Sequence, residues 1–330
     1  MNYILKPKKY PKLLSIIIPC YNEENSLPYF QKEISSTLES LKCKVELIFI
    51  NDGSKDNTLK VLMNLASKNK SIKVISFSRN FGHQMAVTAG LDFAKGDAIV
   101  IIDADLQDPP EVILEMIKKY EEGYDVVYGK RTEREGESFF KLASAWIFYR
   151  AMRKFIHKNL PVDSGDFRLI SSKCLHRINQ LREKHRFLRG MFVWIGLPQT
   201  AVEYKRSPRV AGVTNYPLSK MLSLAANAAI SFSPLPLRFS LFVGIIVAFL
   251  GFAIGIYAVY RKLEHFFFDH SIVYNPGWAT IVGLICLTGG FILISIGILG
   301  EYVARIYEEI KDRPLYIIDY TINISEYKNS

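Results

Sequence analysis

The chain has 330 residues, with 42 Lys and Arg against 32 Asp and Glu, a formal charge of +10 at pH 7 and 49% hydrophobic residues. That length suits one sizeable domain with something smaller beside it. Zinc-finger, helix-turn-helix and RNP-like aromatic patterns are missing from the sequence, so the basic balance favours anionic lipid or phosphorylated substrates over nucleic acid.

The N-terminal stretch MNYILKPKKYPK is basic and lacks an apolar h-region. It does not read as a secretory signal, and the domain after it is expected in the cytosol. The cysteines Cys20, Cys43, Cys174 and Cys286 form no CxxC pair, which favours reduced thiols over a disulfide framework or a zinc site.

Strands are predicted at 13–19 (LLSIIIP), 45–51 (VELIFIN), 72–78, 98–102 and 125–128. Helices are predicted between them at 25–41, 58–68, 83–94 and 110–122, the last with Pro in its first turn. Alternating strands and helices imply a mostly parallel α/β sheet, Rossmann-like, with helices on both faces. Ligands bind such sheets at the C-terminal strand ends. Here those ends are 19–23, 51–54, 78–82 and 103–108.

Beyond Glu133 the pattern changes. Residues 139–156 (FFKLASAWIFYRAMRKFI) are aromatic and basic at helical spacing, which fits either a membrane-interface helix or a surface helix packed on the core. Residues 218–232 read as a second weakly amphipathic helix. Phe239 to Tyr260 and Trp278 to Gly300 are then two charge-free runs. At ~1.5 Å per residue each covers the ~30 Å hydrocarbon core of a bilayer. Arg305, Lys311 and Arg313 follow the second run, so the positive-inside rule puts both flanks in the cytoplasm. The loop at 261–277, with His265 and His270, is expected outside. Gly251 and Gly255 have the spacing that lets helices approach closely. The expected division is a catalytic domain over 1–216, an interface helix over 217–236, two membrane helices within 237–303 and a cytoplasmic tail over 304–330.

The sharpest chemical signal is Asp103-Ala-Asp105-Leu-Gln107-Asp108 at a strand end. Carboxylates so placed are costly without compensation. A hard cation such as Mg²⁺ or Mn²⁺ compensates them, and Asp103, Asp105 and the amide oxygen of Gln107 are candidate ligands. Asp108 is a candidate N-cap for the following helix. In Asn51-Asp52-Gly53-Ser54, Asp52 can accept from a uracil or guanine ring N–H; an Asx-turn is the competing role. In Pro19-Cys-Tyr21-Asn22-Glu23, Tyr21 can pack on a base and Glu23 can reach ribose hydroxyls.

The series P-x-Y-N-E, N-D-G-S-x-D-x-T, N-x-G and D-A-D-L-Q-D-P-P resembles glycosyltransferase family two, which implies a GT-A fold. With two C-terminal spans, the chain is similar to the polyprenyl-phosphate glycosyltransferases. These include dolichyl-phosphate mannose synthases and, most nearly, bactoprenol glucosyltransferases. The resemblance implies a nucleotide-sugar pocket at Pro19, Tyr21, Glu23, Asp52, Arg79, Asp103 and Ala104. It implies a Mg²⁺ or Mn²⁺ site at Asp103, Asp105 and Gln107. Arg131 matches the basic residue that this subfamily places near a phosphate, and Arg134, Arg168 and Arg206 are further candidates for the acceptor phosphate, as is Arg209. Residues 206–216, with Gly212 as a hinge, are expected to form a loop over the site. Where this family often has Lys, the chain has His83.

The implied reaction moves a hexose, glucose from UDP-glucose as first choice, onto undecaprenyl or a similar polyprenyl phosphate with inversion. Asp103, Asp105 and Arg131 would carry it, with Asp163 and Asp166 as further candidates for placing the acceptor. The implied setting is the plasma membrane, as a homo-oligomer. A processive polysaccharide synthase is a rival, but its Q-x-x-R-W signature is not matched by Arg189-Gly-Met-Phe-Val-Trp194. A non-catalytic membrane scaffold is another rival, which the intact acidic motif argues against.

Overall fold

The computed structural model describes residues 5–132, 164–206, 235–267 and 277–324. Expectations for the helices at 139–156 and 218–232, for Arg134, Asp163, Arg209, Gly212 and His270, and for the side chains of His265 and Cys286 lie outside what is described.

The first half alternates as its sequence predicts: β1 (Leu13–Cys20), α1 (Leu27–Glu39), β2 (Lys44–Asn51), α2 (Thr58–Lys68), β3 (Ile72–Phe77), α3 (His83–Phe93), β4 (Ala98–Ile101), α4 (Val112–Glu121) and β5 (Val126–Arg131). Then come β6 (Ser164–Ser171), α5 (Ser172–Gln180), α6 (Leu188–Trp194) and β7 (Gln199–Tyr204). Two long helices follow, α7 (Leu235–Phe267) and α8 (Trp278–Ile310), and the last strand is β8 (Ile318–Ile322). All strands join one sheet in the order β7-β5-β6-β4-β1-β2-β3-β8. The pairs β1–β2, β1–β4, β2–β3 and β5–β7 are parallel, while β6 and β8 run antiparallel to their neighbours.

Strand β1 is buried on both faces, which explains its unbroken apolar run. Leu14, Ile16 and Ile18 pack with Phe30, Ile34, Leu62, Ile113 and Met116 from α1, α2 and α4. Each such side chain contributes roughly 1.5–3 kcal/mol of burial. On the opposite face Ile17 meets α3 at Gly90, where an added Cβ would lie 2.2 Å from Ile17 Cγ2. Only glycine admits that approach.

At the N-terminal ends of the strands a buried polar network locks the register. Ser15 donates to Glu46, which faces it across the β1–β2 pair. Lys73 Nζ lies 2.6 Å from the other Glu46 oxygen, and the Lys95 amide donates at 3.0 Å. Burial pushes the Glu46 carboxyl up, but these donors outweigh it and hold it below its ordinary 4.5.

The chain divides into two compact units. One takes in the sheet and includes the segment from Arg313 onward; the other holds α7 and α8. The tail expected as one piece after residue 303 is thus split between a helix that runs to Ile310 and a strand of the sheet. Both helices outlast their apolar runs, because Arg261, Lys262, Glu301 and Arg305 end hydrophobicity without ending helix propensity. Leu237–Tyr257 and Ile281–Ile310 are long and apolar enough to cross a membrane, with mean hydropathies of 2.6 and 2.5. Ser240 and Ser295 hydrogen bond between the helices at 2.6 Å. Among the described residues no atom of α8 comes within 4 Å of a Cβ built at Gly251 or Gly255.

The Glu46 network carries a pH signature. Its contribution is complete above the ordinary carboxyl range and is lost as pH falls through the depressed folded value. Glu46→Gln should cost ~1–3 kcal/mol at pH 7. It should also flatten the decline of the thermal midpoint between about pH 5 and 3, read by unfolding the full chain in detergent.

Candidate active site

The C-terminal ends of β1, β2, β3 and β4 carry four loops, and the residues singled out in the sequence stitch the first three together. Asn22, after β1, has φ 56°, a left-handed conformation that asparagine tolerates. Its amide donates to Ser54 Oγ at 3.0 Å and its side-chain oxygen accepts from the Lys55 amide at 2.9 Å. Thr58 Oγ1 accepts from the Glu23 amide at 2.7 Å, and Asp56 accepts from the Glu24 amide at 3.2 Å. Much of N-D-G-S-x-D-x-T is therefore the thread between the loops after β1 and β2.

Asp52 does the same toward β3. It is 3% exposed. Its two oxygens accept from the amides of Phe81 at 2.6 Å and Gly82 at 2.9 Å, and from Asn80 Nδ2 at 2.9 Å. Gly53 (φ 62°) lies beneath this turn: a Cβ there would meet the Arg79 carbonyl carbon at 2.4 Å. Asp52 thus anchors residues 80–82, which take three of its roughly four acceptor sites. Tyr21, after β1, is 43% exposed and Arg79, after β3, is exposed, while Pro19 and Ala104 are buried. Glu23 accepts from the Ser26 hydroxyl.

The acids after β4 have different fates. Asp105 is 8% exposed and accepts from the Gln107 amide at 3.1 Å, while the intervening Leu106 is held at φ 58°. That conformation is unfavourable for leucine and marks a site where surroundings dictate the backbone. Gln107 Oε1 accepts from Arg206 Nη2 at 2.5 Å. Asp108 does not cap α4, whose N-cap position is Glu111. Instead Asp108 is buried, accepts from the Tyr204 hydroxyl and faces Arg131 Nη2 at 3.4 Å, with Arg131 Nε on Tyr204 Oη at 3.2 Å. Gly165 makes room for that guanidinium; a Cβ there would sit 2.6 Å from it.

Asp103 remains open, its side chain 38% exposed. Strand β6 brings it a partner that sequence reasoning ranked only as secondary. Ile101 pairs with Arg168 in the antiparallel β4–β6 ladder. Continuing that register by two residues sets Asp166 opposite Asp103. His83, at the start of α3, lies between them, 3.1 Å from Asp166 and 3.9 Å from Asp103. Arg189 grips Asp166 through Nε at 2.7 Å and Nη2 at 3.2 Å. Although its side chain keeps some solvent contact, the surrounding protein desolvates the Asp103 carboxyl and raises it to about 6; the neighbouring Asp108, Asp166 and Asp105 add to this and His83 opposes it. Burial by itself would lower the His83 imidazole, but Asp103 and Asp166 more than offset it and hold it at about 9. Asp166, despite burial, stays well below the usual carboxyl range because of Arg189 and His83.

Arg168 does not sit as expected for a phosphate ligand. It is 4% exposed, donates to the carbonyls of Gly165 and Asp166, and lies 4.5 Å over the Phe192 ring. Arg189, overlooked as part of an unmatched motif, takes the position beside the acids. No pattern in the sequence marked it, because only the fold of α6 against β6 brings it there.

The family model of glycosyl transferase family 2 matches residues 15–178. The uncharacterized glycosyltransferase YkcC of Bacillus subtilis is 46% identical over 310 residues, covering 94% of each chain. The chain belongs to glycosyl transferase family 2. It is a glycosyltransferase, and its sheet has the GT-A arrangement expected of it. A protein named bactoprenol glucosyl transferase, from Shigella phage SfV, is 39% identical over 307 residues, 92% of this chain and 97% of that one. A glucosyl-3-phosphoglycerate synthase of Mycobacterium tuberculosis, solved with Mn²⁺, UDP and phosphoglyceric acid, covers 66% of this chain and 76% of its own at 19% identity and a TM-score of 0.48.

The grip of Arg189 on Asp166 is measurable. Arg189→Ala should cost about 1.5–3 kcal/mol, seen as a lower thermal midpoint of the full chain. Arg189→Lys should recover only part of it, because lysine cannot reproduce the two-pronged contact.

Proposed function

We propose that the chain transfers a single hexose, glucose from UDP-glucose, to a polyprenyl phosphate such as undecaprenyl phosphate, with inversion at the anomeric carbon. The observation that carries this reading is the convergence of Asp103, Asp105 and Asp166 at one strand end beside Arg131, Arg189 and Arg206. Support comes from relatives named for transfer of glucose to bactoprenol, 38–39% identical across 92% of this chain.

The donor set suits Mg²⁺ or Mn²⁺ held by Asp103, Asp105 and Gln107. All the ligands are oxygens, and the raised proton affinity of Asp103 marks negative charge short of compensation. Among the described residues no three His, Cys, Asp or Glu side chains gather as a ready cage. That is compatible with a cation that takes one or two carboxylates and completes its shell with phosphates and water. When bound, such an ion neutralises charge developing on the departing diphosphate.

The protein's own groups do the rest. Tyr21 and Glu23 receive the base and ribose against the wall that Asp52 holds in place. Arg131 and Arg206, with Arg134, draw the acceptor phosphate in and offset its repulsion from the donor's phosphates. Asp166, aimed by His83 and Arg189, orients the reacting sugar and acceptor. A phosphate monoester has a second pKa of about 6 and is mostly dianionic at neutral pH, so it attacks without surrendering a proton. One attack from the face opposite the leaving group gives inversion. Two spanning helices in the plasma membrane, with both flanks cytoplasmic, keep the site where a polyprenyl headgroup can reach it.

Purified protein incubated with labelled nucleotide-sugars and polyprenyl phosphate should yield one sugar per lipid phosphate, with UDP-glucose the preferred donor. A polymer as product would replace this reading with that of a processive synthase. Chelation should abolish transfer, and Mn²⁺ or Mg²⁺ should restore it. Asp105→Ala should reduce turnover by about 10²–10³-fold; unchanged turnover would refute the role given to that acid.

A further inference from the structure

The segment that follows the second apolar helix does more than end the chain. Residues 318–322 form β8, paired antiparallel with β3. Beyond the ladder the Ser78 amide donates to the Ile317 carbonyl at 3.1 Å, and Asn323 Nδ2 bonds the carbonyls of Ala66 and Ile72 at 2.9 and 2.8 Å. Tyr316 is stacked on Phe77, 5.1 Å between ring centroids and 15° between planes. Its hydroxyl donates to Asp92 at 2.7 Å, and Arg182 holds the other Asp92 oxygen at 2.7 Å.

Phe77 is the last residue of β3 and touches Phe81 edge-on at 5.6 Å. The Arg79 guanidinium lies 4.0 Å over the Phe81 ring. Phe81 is also the residue whose amide anchors Asp52 at 2.6 Å. The four side chains Tyr316, Phe77, Phe81 and Arg79 thus form a continuous run of ring contacts from the tail to the turn at residues 79–82 that Asp52 anchors. The other members lie in residues 77–81; only Tyr316 comes from elsewhere in the sequence.

We infer that Tyr316 is a positioning residue for donor binding: by stacking on Phe77 it seats Phe81 and Arg79, so the pocket is complete only when the tail is docked on β3. The inference rests on the reading that this pocket takes the nucleotide. Aromatic pairs contribute enough that losing one rung should weaken donor binding about threefold to tenfold.

The test uses the full chain in detergent, titrated with UDP in the presence of Mn²⁺, together with steady-state constants for UDP-glucose and polyprenyl phosphate. Tyr316→Ala should raise the UDP Kd and the UDP-glucose KM by that factor, leaving kcat and the lipid KM within about twofold. Tyr316→Phe, which keeps the stack and loses only the hydroxyl, should restore wild-type values within about twofold. Should Tyr316→Ala not be recovered folded, Phe81→Leu breaks the same stack one rung on and must give the same shift. Unchanged UDP affinity in these variants overturns the inference, as does a parallel loss of kcat and both KM values, which would mean general damage. Wild-type protein that binds no UDP overturns the donor-site reading on which it rests.

Discussion

Negative charge gathered at the end of β4 is the constraint around which the site is organised. Asp108, Asp166 and Asp105 each add to the proton affinity of Asp103, and acidic groups that feel one another are costly unless compensated. The protein matches them unequally. Asp108 is given Arg131 and Tyr204; Asp166 is given Arg189 and His83. Among the described residues Asp103 has His83 alone as an ion partner, at 3.9 Å, and burial, with the neighbouring acids, keeps its proton affinity raised. Its partial compensation distinguishes it from a structural ion pair. The mismatch sits in an accessible place, where a ligand bearing positive charge can correct it.

The same economy appears in the loops. The side chains of Asn22, Ser54, Asp56 and Thr58 accept from backbone amides of the opposing loop, and Asp52 accepts from residues 80–82. Three loops that would each be mobile alone become one rim. The residues that made the family legible are, for the most part, the fasteners of that rim. On the proposed reading, Tyr21, Arg79 and Asp103 are among the exposed groups that meet the ligand.

Sequence and structure agree best where both faces of a strand are buried. LLSIIIP and VELIFIN read as strands because parallel central strands need apolar residues at every position, and β1 to β5 lie within a few residues of where the pattern puts them. Strand β6 was invisible for the opposite reason: SGDFRLIS interrupts its apolar residues with Gly165, which makes room for Arg131, with Asp166, which pairs with Arg189, and with the buried Arg168. Edge strands β7 and β8, QTAVEY and IDYTI, are short and partly polar, and β8 lies after two apolar helices, where a new strand of the first sheet is not anticipated. The carboxylates after β4 were legible because their burial demands an explanation. Arg189 was not, since its partner lies 23 residues away in sequence and the meeting depends on a fold that periodicity does not specify.

The two parts of the chain answer one physical problem. On the proposed reading, the acceptor is a polyprenyl phosphate that cannot leave the bilayer and the donor a nucleotide-sugar that cannot enter it. The most direct measurement is an experimental structure of the full chain with UDP and Mn²⁺ bound. The account predicts the base beside Tyr21 and the diphosphate against Asp103 and Asp105, on the side of the cleft facing Asp166. A nucleotide bound away from the C-terminal ends of β1, β2 and β4, or a metal ion with neither Asp103 nor Asp105 among its ligands, would contradict it.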